Sequence, residues 1–387
     1  MLRAILALSV GGFAIGTGEF DIMGLVPEVA RDIGVSIPQA GHVISAYALG
    51  VVVGAPLITV AAARLPRRAL LILLMTLFAL FNGLCAFAPS YAWLMALRFL
   101  SGLPHGAYFG IASLVAVSLV PEHRRTQAVG RMFLGLTVAT IVGVPLANWV
   151  GHAVGWRWGF ALVAAAGLLT VALVAAFAPA TPADPQASPL RELGALRRTQ
   201  VWITLGIGAI GFGGLFAVYT YLADILLTVT GAAPDTVPLV LGVFGIGMTI
   251  GNLVIPRFAD RALMPTAGGL LLFSAAALAL FTFSIGNIWA ITAAVFLVGV
   301  GGALGTVLQT RLMDVADDAQ GLAAALNHSA FNTANALGPW LGGLALAHGH
   351  GWRAPGWVGA LLALGGFTLW LVSVSLDRQR RALGQAA

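Results

Sequence analysis

Apolar runs of about twenty residues or more alternate along this chain with short polar breaks carrying arginine, proline and glycine. None of the runs shows the period of two that marks a half-buried strand, so helices are predicted throughout. The runs fall near 4–26, 39–62, 69–88, 92–117, 132–150, 158–178, 201–226, 237–256, 264–285, 288–310, 321–346 and 355–376. At a rise of about 1.5 Å per residue each is long enough to cross a hydrocarbon core of about 30 Å. Backbone groups in lipid find no water, which restricts spanning structure to helices and closed barrels, and the missing alternation excludes the barrel. The predicted fold class is an all-α membrane protein with twelve transmembrane helices. The first run, Ala4 to Leu25, is too long for a signal-peptide core and has no cleavage-like exit, so it reads as a retained first span.

Composition agrees: 59% of residues are hydrophobic and 9% charged, against about a quarter charged in a soluble domain. So few charges would not cover so much apolar surface in water. Cys85 is the sole cysteine and lies inside an apolar run, so no intrachain disulfide forms. The net charge of +6 matters less than its placement. Every basic residue is arginine. One set of loops holds Arg3, Arg64, Arg67, Arg68, Arg124, Arg125, Arg131, Arg191, Arg197, Arg198, Arg257, Arg261, Arg311, Arg378, Arg380 and Arg381. The opposite set holds Arg31, Arg157 and Arg353, which leaves Arg98 inside the membrane. The positive-inside rule then puts both termini and the segment 179–200 in the cytoplasm.

That segment, PATPADPQASPLRELGALRRTQ, is the one long stretch rich in proline, charge and small residues, and reads as a linker with a short surface helix. It divides the chain into an N-terminal six-helix half, 1–178, and a C-terminal six-helix half, 201–387. A shift of 197 residues lays Gly54 on Gly251, Arg64 on Arg261, and Phe99-Leu100-x-Gly102 on Phe296-Leu297-x-Gly299. A shift of 196 lays Gly155-Trp156-Arg157 on Gly351-Trp352-Arg353. These matches predict two six-helix pseudo-repeats, with a substrate site near the midplane between them and alternating access by rocking.

Four stretches make the chain resemble the major facilitator superfamily, and within it the bacterial twelve-span drug- and sugar-efflux branch. They are GTGEFDIMGLVPEVARDIGVSIPQAG (Gly16–Gly41), GAPLITVAAARLPRRA (Gly54–Ala69), RFLSGLPHGAYFG (Arg98–Gly110) and GVPLA (Gly143–Ala147). The resemblance covers the whole chain, is strongest in its first half, and implies residence in the bacterial inner membrane. GVPLA, with Gly143 and Pro145, resembles a span-5 motif of antiporters, which implies export; small residues there also suit close helix packing. One departure stands out. The motif between spans 2 and 3 usually carries an aspartate before its first arginine, and here Ala63 precedes Arg64, whereas the repeat copy keeps the acid as Asp260-Arg261. Arg64, Arg67 and Arg68 therefore read either as part of a cytoplasmic latch or as topology signals alone.

Ionisable groups inside spans are costly and mark candidate sites. Glu19 on span 1 and Arg98 on span 4 both lie about 10 Å below the outer end of their spans. Both spans line the cavity in the superfamily, so the two residues are expected to interact. Two readings fit: Glu19 as a proton site tuned by Arg98, or a permanent structural pair. Asp21, two residues on and so about 200° around the helix, is read as nearer the surface, where it snorkels, caps or competes for the coupling role. His105 lies two turns deeper than Arg98 on nearly the same face, which suggests a line Glu19–Arg98–His105 or a helix–helix hydrogen bond. Asp224, at the outer end of span 7, reads as interfacial. His328, Asn332 and Asn335 share one face of span 11. With Asn252, Tyr47, Tyr108 and Tyr219 they are candidate cavity residues, or hydrogen-bonding groups between spans. Such a pocket suits a weakly charged amphipathic molecule.

The expected function is proton-coupled efflux of a drug or sugar, with proton-coupled nutrient uptake as the alternative and a membrane enzyme as a remote one. The sequence carries no metal-ligand cluster, Ser/His/Asp arrangement or phosphate-cradling loop, so no enzyme activity, cofactor or metal is expected. The expected partners are a small molecule, protons and the bilayer, but no nucleic acid, and nothing calls for more than a monomer.

Overall fold

Residues 1–180, 182 and 186–384 are described in the computed structural model, 380–384 by backbone alone. Thr181 and residues 183–185 of the linker, the side chains of Arg380 and Arg381, and residues 385–387 lie outside the described residues. Long helices dominate: α1 (Leu2–Gly24), α2 (Ile37–Ala61), α3 (Arg67–Cys85), α4 (Tyr91–Ser118), α5 (Glu122–Val154), α6 (Trp156–Phe177), α7 (Thr199–Thr228), α8 (Pro234–Ala259), α9 (Leu263–Ser284), α10 (Ile288–Val315), α11 (Gln320–Ala347) and α12 (Ala354–Gly384). Among the described residues, 11 of these helices are long and apolar enough to cross a membrane. The remaining one, α11, is 28 residues long and also of spanning length, but Asn327, His328, Ser329, Asn332, Thr333 and Asn335 lower its apolarity. The expected spans are all found as helices. Several run further than expected: α5 starts at Glu122, so Arg124, Arg125 and Arg131 sit on helix and not in a loop. Large apolar side chains face outward, such as Leu57 and Leu361 at 60% and 67% exposure, while Arg98 is fully buried. That inversion of the usual soluble pattern is what lipid as solvent requires.

By its contacts the chain falls into two compact units. The first comprises Met1–Ala195 and Asp317–Ser329, hence α1 to α6 and the start of α11. The second comprises Leu196–Ala316 and the chain from Ala330 onward, hence α7 to α10, the rest of α11, and α12.

In the first unit α2 and α4 cross at backbone contact. A methyl group on Gly50, Gly54 or Gly102 would stand 2.1, 2.1 and 2.3 Å from the carbonyl oxygens of Phe99, Leu103 and Tyr47. In the second unit α8 and α10 repeat the contact: Gly247, Gly251 and Gly299 face the carbonyls of Phe296, Val300 and Phe244 at 2.3, 2.6 and 2.3 Å. All six residues of each crossing are matched at one shift of 197 positions. Small residues at such crossings let dispersion contacts form over a long backbone seam, which lipid does not compete with.

Helix α5 is interrupted by a π-turn at Ala139–Gly143, two residues before Pro145. Proline has no amide hydrogen and its ring crowds the carbonyl four residues back, here that of Ile141, so the ladder widens locally. Gly143 in that turn presses on α1, where a methyl group would meet the Thr17 hydroxyl oxygen at 2.1 Å. Beyond α1, the short helix Val26–Ile33 is fastened to the start of α6. Asp32 there accepts from Trp156 Nε1 at 3.1 Å and pairs with Arg157, whose guanidinium covers the Trp156 ring at 4.3 Å. The hydrogen bond from Arg157 holds the Asp32 carboxyl below its ordinary range. In the second unit, Arg311 on α10 pairs with Asp377 on α12, and Gln200 on α7 donates to Asp377 at 2.9 Å. Arg311 is therefore part of a three-helix clasp, in addition to the topological role read from the sequence.

The two crossings generate a test. Gly54→Ala and Gly251→Ala are each expected to destabilise by about 1–3 kcal/mol, the cost of forcing an extra methyl into a filled seam. Gly41→Ala on the same helix as Gly54 meets nothing within 4 Å and is expected to leave the melting temperature of the purified protein unchanged.

Candidate functional site

An arginine inside a spanning helix needs a local supply of negative potential. Arg98 on α4 is fully buried, and its Nη1 donates to the Gly18 carbonyl of α1 at 2.9 Å. That carbonyl is available because α1 tightens into a 3₁₀ turn at Asp21–Gly24. The Ile22 amide, which a continued α-helix would aim at Gly18, is instead held by Asp21 Oδ1 at 2.6 Å. Asp21 thus frees the oxygen that Arg98 uses. The flat face of the guanidinium lies 4.4 Å from the Tyr47 ring centre on α2 and 5.5 Å from that of Phe160 on α6. Both distances fall within cation–π range.

Glu19 and Asp21 both feel the Arg98 charge. Arg98 takes a backbone carbonyl, and not the Glu19 carboxylate, as its hydrogen-bond acceptor. The expected interaction is therefore electrostatic, across a gap, with no direct hydrogen bond. Asp21 differs from its expected place near the surface: it is 1% exposed, more buried than Glu19 at 9%. Its carboxylate accepts from the Ile22 amide at the start of the 3₁₀ turn.

His105 lies on the same face of α4 as Arg98, as expected, but Tyr47 stands between them. Tyr47 is within hydrogen-bond distance of His105, with its hydroxyl 3.0 Å from Nδ1. On its other edge His105 Nε2 lies 3.1 Å from His328 Nδ1. His328 sits on Asp317–Ser329, which packs with the first unit. Its ring stacks on Phe109 (centres 4.2 Å apart, planes 13° apart) and lies against Phe133 (5.6 Å, 19°), in a three-ring cluster in which the two phenyl rings also touch, 5.3 Å apart and tilted by 32°. The first unit thus holds a buried polar row: Gly18 carbonyl, Arg98, Tyr47, His105, His328.

The other candidate residues go elsewhere. The Tyr108 hydroxyl donates to the Leu8 carbonyl at 2.8 Å, binding α4 to α1. Asn252 on α8 accepts from the Thr306 hydroxyl of α10 at 2.5 Å. Tyr219 packs on Phe244 with ring centres 4.7 Å apart. Asn332 is buried and Asn335 half-buried in the second unit. Gly54 and Gly143 sit at helix contacts, Pro145 follows the π-turn, Arg64 and Arg261 are exposed, and Asp260 is half-buried at the end of α8. Among the described residues no group of three or more His, Cys, Asp or Glu side chains is placed to hold a metal. In the linker, Glu192 accepts from the Leu322 amide at 2.7 Å and Arg191 pairs with Asp318 at 3.4 Å, and burial raises the Glu192 carboxyl above the ordinary range. Beside it lies a cavity of about 400 Å³ bordered by Thr59, Arg67, Ser118, Arg191, Glu192 and Asp318.

Sequence reasoning missed Phe109, Phe133 and Phe160. Phe109 follows His105 by four residues and so shares its face, which was the available signal. The repeat adds a contrast. At the shift of 197, Glu19, Asp21, Tyr47, Arg98 and His105 correspond to Phe216, Val218, Phe244, Val295 and Gly302. The second unit keeps the crossing and lacks the charges.

A sequence profile described as Major Facilitator Superfamily matches residues 8–263 and again 218–386. The inner membrane transport protein YdhP of Escherichia coli K12 is 43% identical over 380 residues, 97% of this chain and 96% of that protein. A chloramphenicol resistance protein of Streptomyces lividans is 33% identical over 363 residues, 92% of each chain. Among solved structures, the proton:xylose symporter XylE superposes with a TM-score of 0.75, at 16% identity and 95% coverage of both chains. At that identity the likeness speaks to the fold.

The polar row yields a graded test. Tyr47→Phe keeps the ring over Arg98 and removes one hydrogen bond, for an expected loss of about 1 kcal/mol. Arg98→Met leaves the Gly18 carbonyl and two carboxylates without their cation, for an expected loss of about 3–5 kcal/mol. Thermal melts of the two purified variants are expected to fall in that order.

Proposed function

The chain belongs to the major facilitator superfamily of membrane transporters, and on that premise we propose that it exports a small amphipathic molecule, a drug or sugar, in exchange for protons. Alternating access between two six-helix halves, 1–178 and 201–387, joined by the linker 179–200, is the mechanism. The observation that carries this reading is the fully buried Arg98 on the Gly18 carbonyl, with Glu19 next in sequence and in electrostatic reach.

Glu19 is the coupling acid. In one facing state its carboxylate is balanced by Arg98; in the other it takes a proton and Arg98 is left to the carbonyl and the rings. A proton on Glu19 changes the charge of the row by one, so the two states bind protons with different affinity. That difference is what couples proton and substrate movement. The gap between Glu19 and Arg98 supports this assignment, since a fully hydrogen-bonded pair would resist protonation. Asp21 holds the 3₁₀ turn, and Tyr47 and His105 position Arg98.

Export is favoured by GVPLA and the π-turn of α5 beside it. The printed name of the Streptomyces relative, a chloramphenicol resistance protein, points the same way. The arginine distribution supports cytoplasmic termini, and a monomer is sufficient.

Proton movement in vesicles containing purified protein tests the assignment, with chloramphenicol and a panel of antibiotics and sugars added in turn. A compound that drives proton movement through the native protein is expected to drive at least about tenfold less through Glu19→Gln, while its binding survives. Coupling that persists in Glu19→Gln would move the role to Asp21 or His105.

A further inference from the structure

Two neighbouring residues of the linker hold the start of α11. The short linker helix Pro189–Leu193 packs on α2. Proline at its first position and Ser188 ahead of it fix its direction, the Ser188 hydroxyl accepting from the Arg191 amide at 3.2 Å. Arg191 Nε lies 3.4 Å from the Asp318 carboxylate, just ahead of α11. Glu192 Oε2 accepts from the Leu322 amide at 2.7 Å, within the first turn of α11. That amide is one of the four that a helix leaves without an internal acceptor. Gly321 makes the approach possible, since a methyl group there would stand 3.0 Å from both carboxylate oxygens. The Arg67 and Arg191 charges favour the carboxylate, against the cost of its burial.

Between Leu196 and the C-terminus, the segment held in this way, Asp317–Ser329, is the one that packs with the first unit. The chain enters it at Asp317, whose φ of 48° is the one positive value among the described non-glycine residues, a left-handed turn that aspartate tolerates. Farther along, the segment lies on α4. A methyl group on Gly106 would stand 3.2 Å from the Ala325 carbonyl oxygen, and one on Gly110 2.8 Å from the Ala325 amide nitrogen. The cavity bordered by Thr59, Arg67 and Ser118 adjoins Arg191 and Glu192 and gives both side chains room to swing away.

We infer that Glu192, assisted by Arg191, is a latch that keeps the start of α11 with the first unit, and that its release is a step of the transport cycle. The inference rests on the alternating-access reading above. Helix α11 is continuous from Gln320 to Ala347. Its first turns therefore cannot stay with the first unit while the rest follows the second through a change of facing state. Closed, the latch stabilises the facing state of this structure. Open, it lets α11 move as one body, and the Leu322 amide and the Glu192 carboxylate take water as their partner. The linker thereby sets the balance between the two states in addition to joining the halves. Glu192 and Arg191 are positioning residues, acting on substrate movement through α11.

Double electron–electron resonance reads that balance in the full-length protein in lipid nanodiscs. Spin labels are placed at His123→Cys and Ala262→Cys, exposed positions beside Arg124 and Arg261. Cys85 is fully buried and is not expected to take a label. Protein with native Glu192 is expected to give a main and a minor distance population. Glu192→Ala is expected to raise the ratio of minor to main by about fivefold to tenfold, since it leaves the Leu322 amide unmet in the closed state. Glu192→Gln keeps an oxygen for that amide and is expected to fall between the two. Arg191→Ala is expected to act in the same direction by about twofold, its pair with Asp318 being partly exposed. Leu190→Ala, on the same linker helix at 82% exposure, is expected to match the native ratio. A Glu192→Ala protein that melts lower but keeps the native ratio would make the contact a structural tie and overturn the latch. So would a Leu190→Ala ratio shifted as far as that of Glu192→Ala. The same variants in vesicles separate this inference from the coupling one. A shifted ratio in a protein that moves no protons leaves the latch and removes the exchange. Proton-coupled movement whose rate and distance ratio Glu192→Ala leaves unchanged removes the latch and leaves the exchange.

Discussion

An arginine inside a spanning helix is costly, up to about 2.5–3.5 kcal/mol at the helix centre on insertion scales, and more where the side chain has no route to water. Arg98 has none, being fully buried, and much of the first unit's local geometry is arranged to meet that cost. A backbone carbonyl is diverted to it by a break in α1, and two aromatic rings cover its faces. Two carboxylates stand within electrostatic range. The break itself depends on Asp21, which captures the Ile22 amide. Remove any one of these and the cation loses part of its compensation inside a medium that offers no substitute.

The second unit shows what the same backbone is without that constraint. Its α8–α10 crossing repeats the α2–α4 crossing glycine by glycine, yet valine, phenylalanine and glycine stand where arginine, tyrosine and histidine do. Duplication preserved the packing seam, because a methyl group there collides with backbone. Side chains just off the seam were free to diverge. The second unit instead has a half-buried ion pair between α10 and α12, at Arg311 and Asp377. The buried arginine, its two carboxylates and the paired histidines are thus concentrated in the first unit of a repeated scaffold.

Much of the fold was legible in the sequence, because twenty apolar residues in a row admit few alternatives once lipid is the solvent. The duplication was legible for a similar reason: close crossings demand glycine, and glycine leaves a readable spacing. The site was read less completely. Burial of Glu19, Arg98 and His105 followed from their place in spans. Asp21 was put too near the surface because a regular α-helix was extended through a 3₁₀ turn whose cause is the Asp21 side chain itself. Tyr47 was recognised as polar and placed with the cavity candidates, but its position between Arg98 and His105 depends on the glycine-to-carbonyl contact of α2 with α4. The pairing of His105 with His328 joins positions 223 residues apart, which no local spacing reveals. Phe109 and Phe133 carry no polar atom and vanish among the other apolar residues.

The central claim is that Glu19 changes protonation as the transporter changes state, with Arg98 as its partner. Infrared difference spectroscopy, substrate-bound minus substrate-free, reads this directly in the native protein. The expected result is a protonated-carboxyl stretch that changes on substrate addition, disappears in Glu19→Gln and shifts in Arg98→Lys. A carboxyl band that is unchanged by Glu19→Gln, or the absence of any carboxyl signal with a substrate that is demonstrably transported, would contradict it.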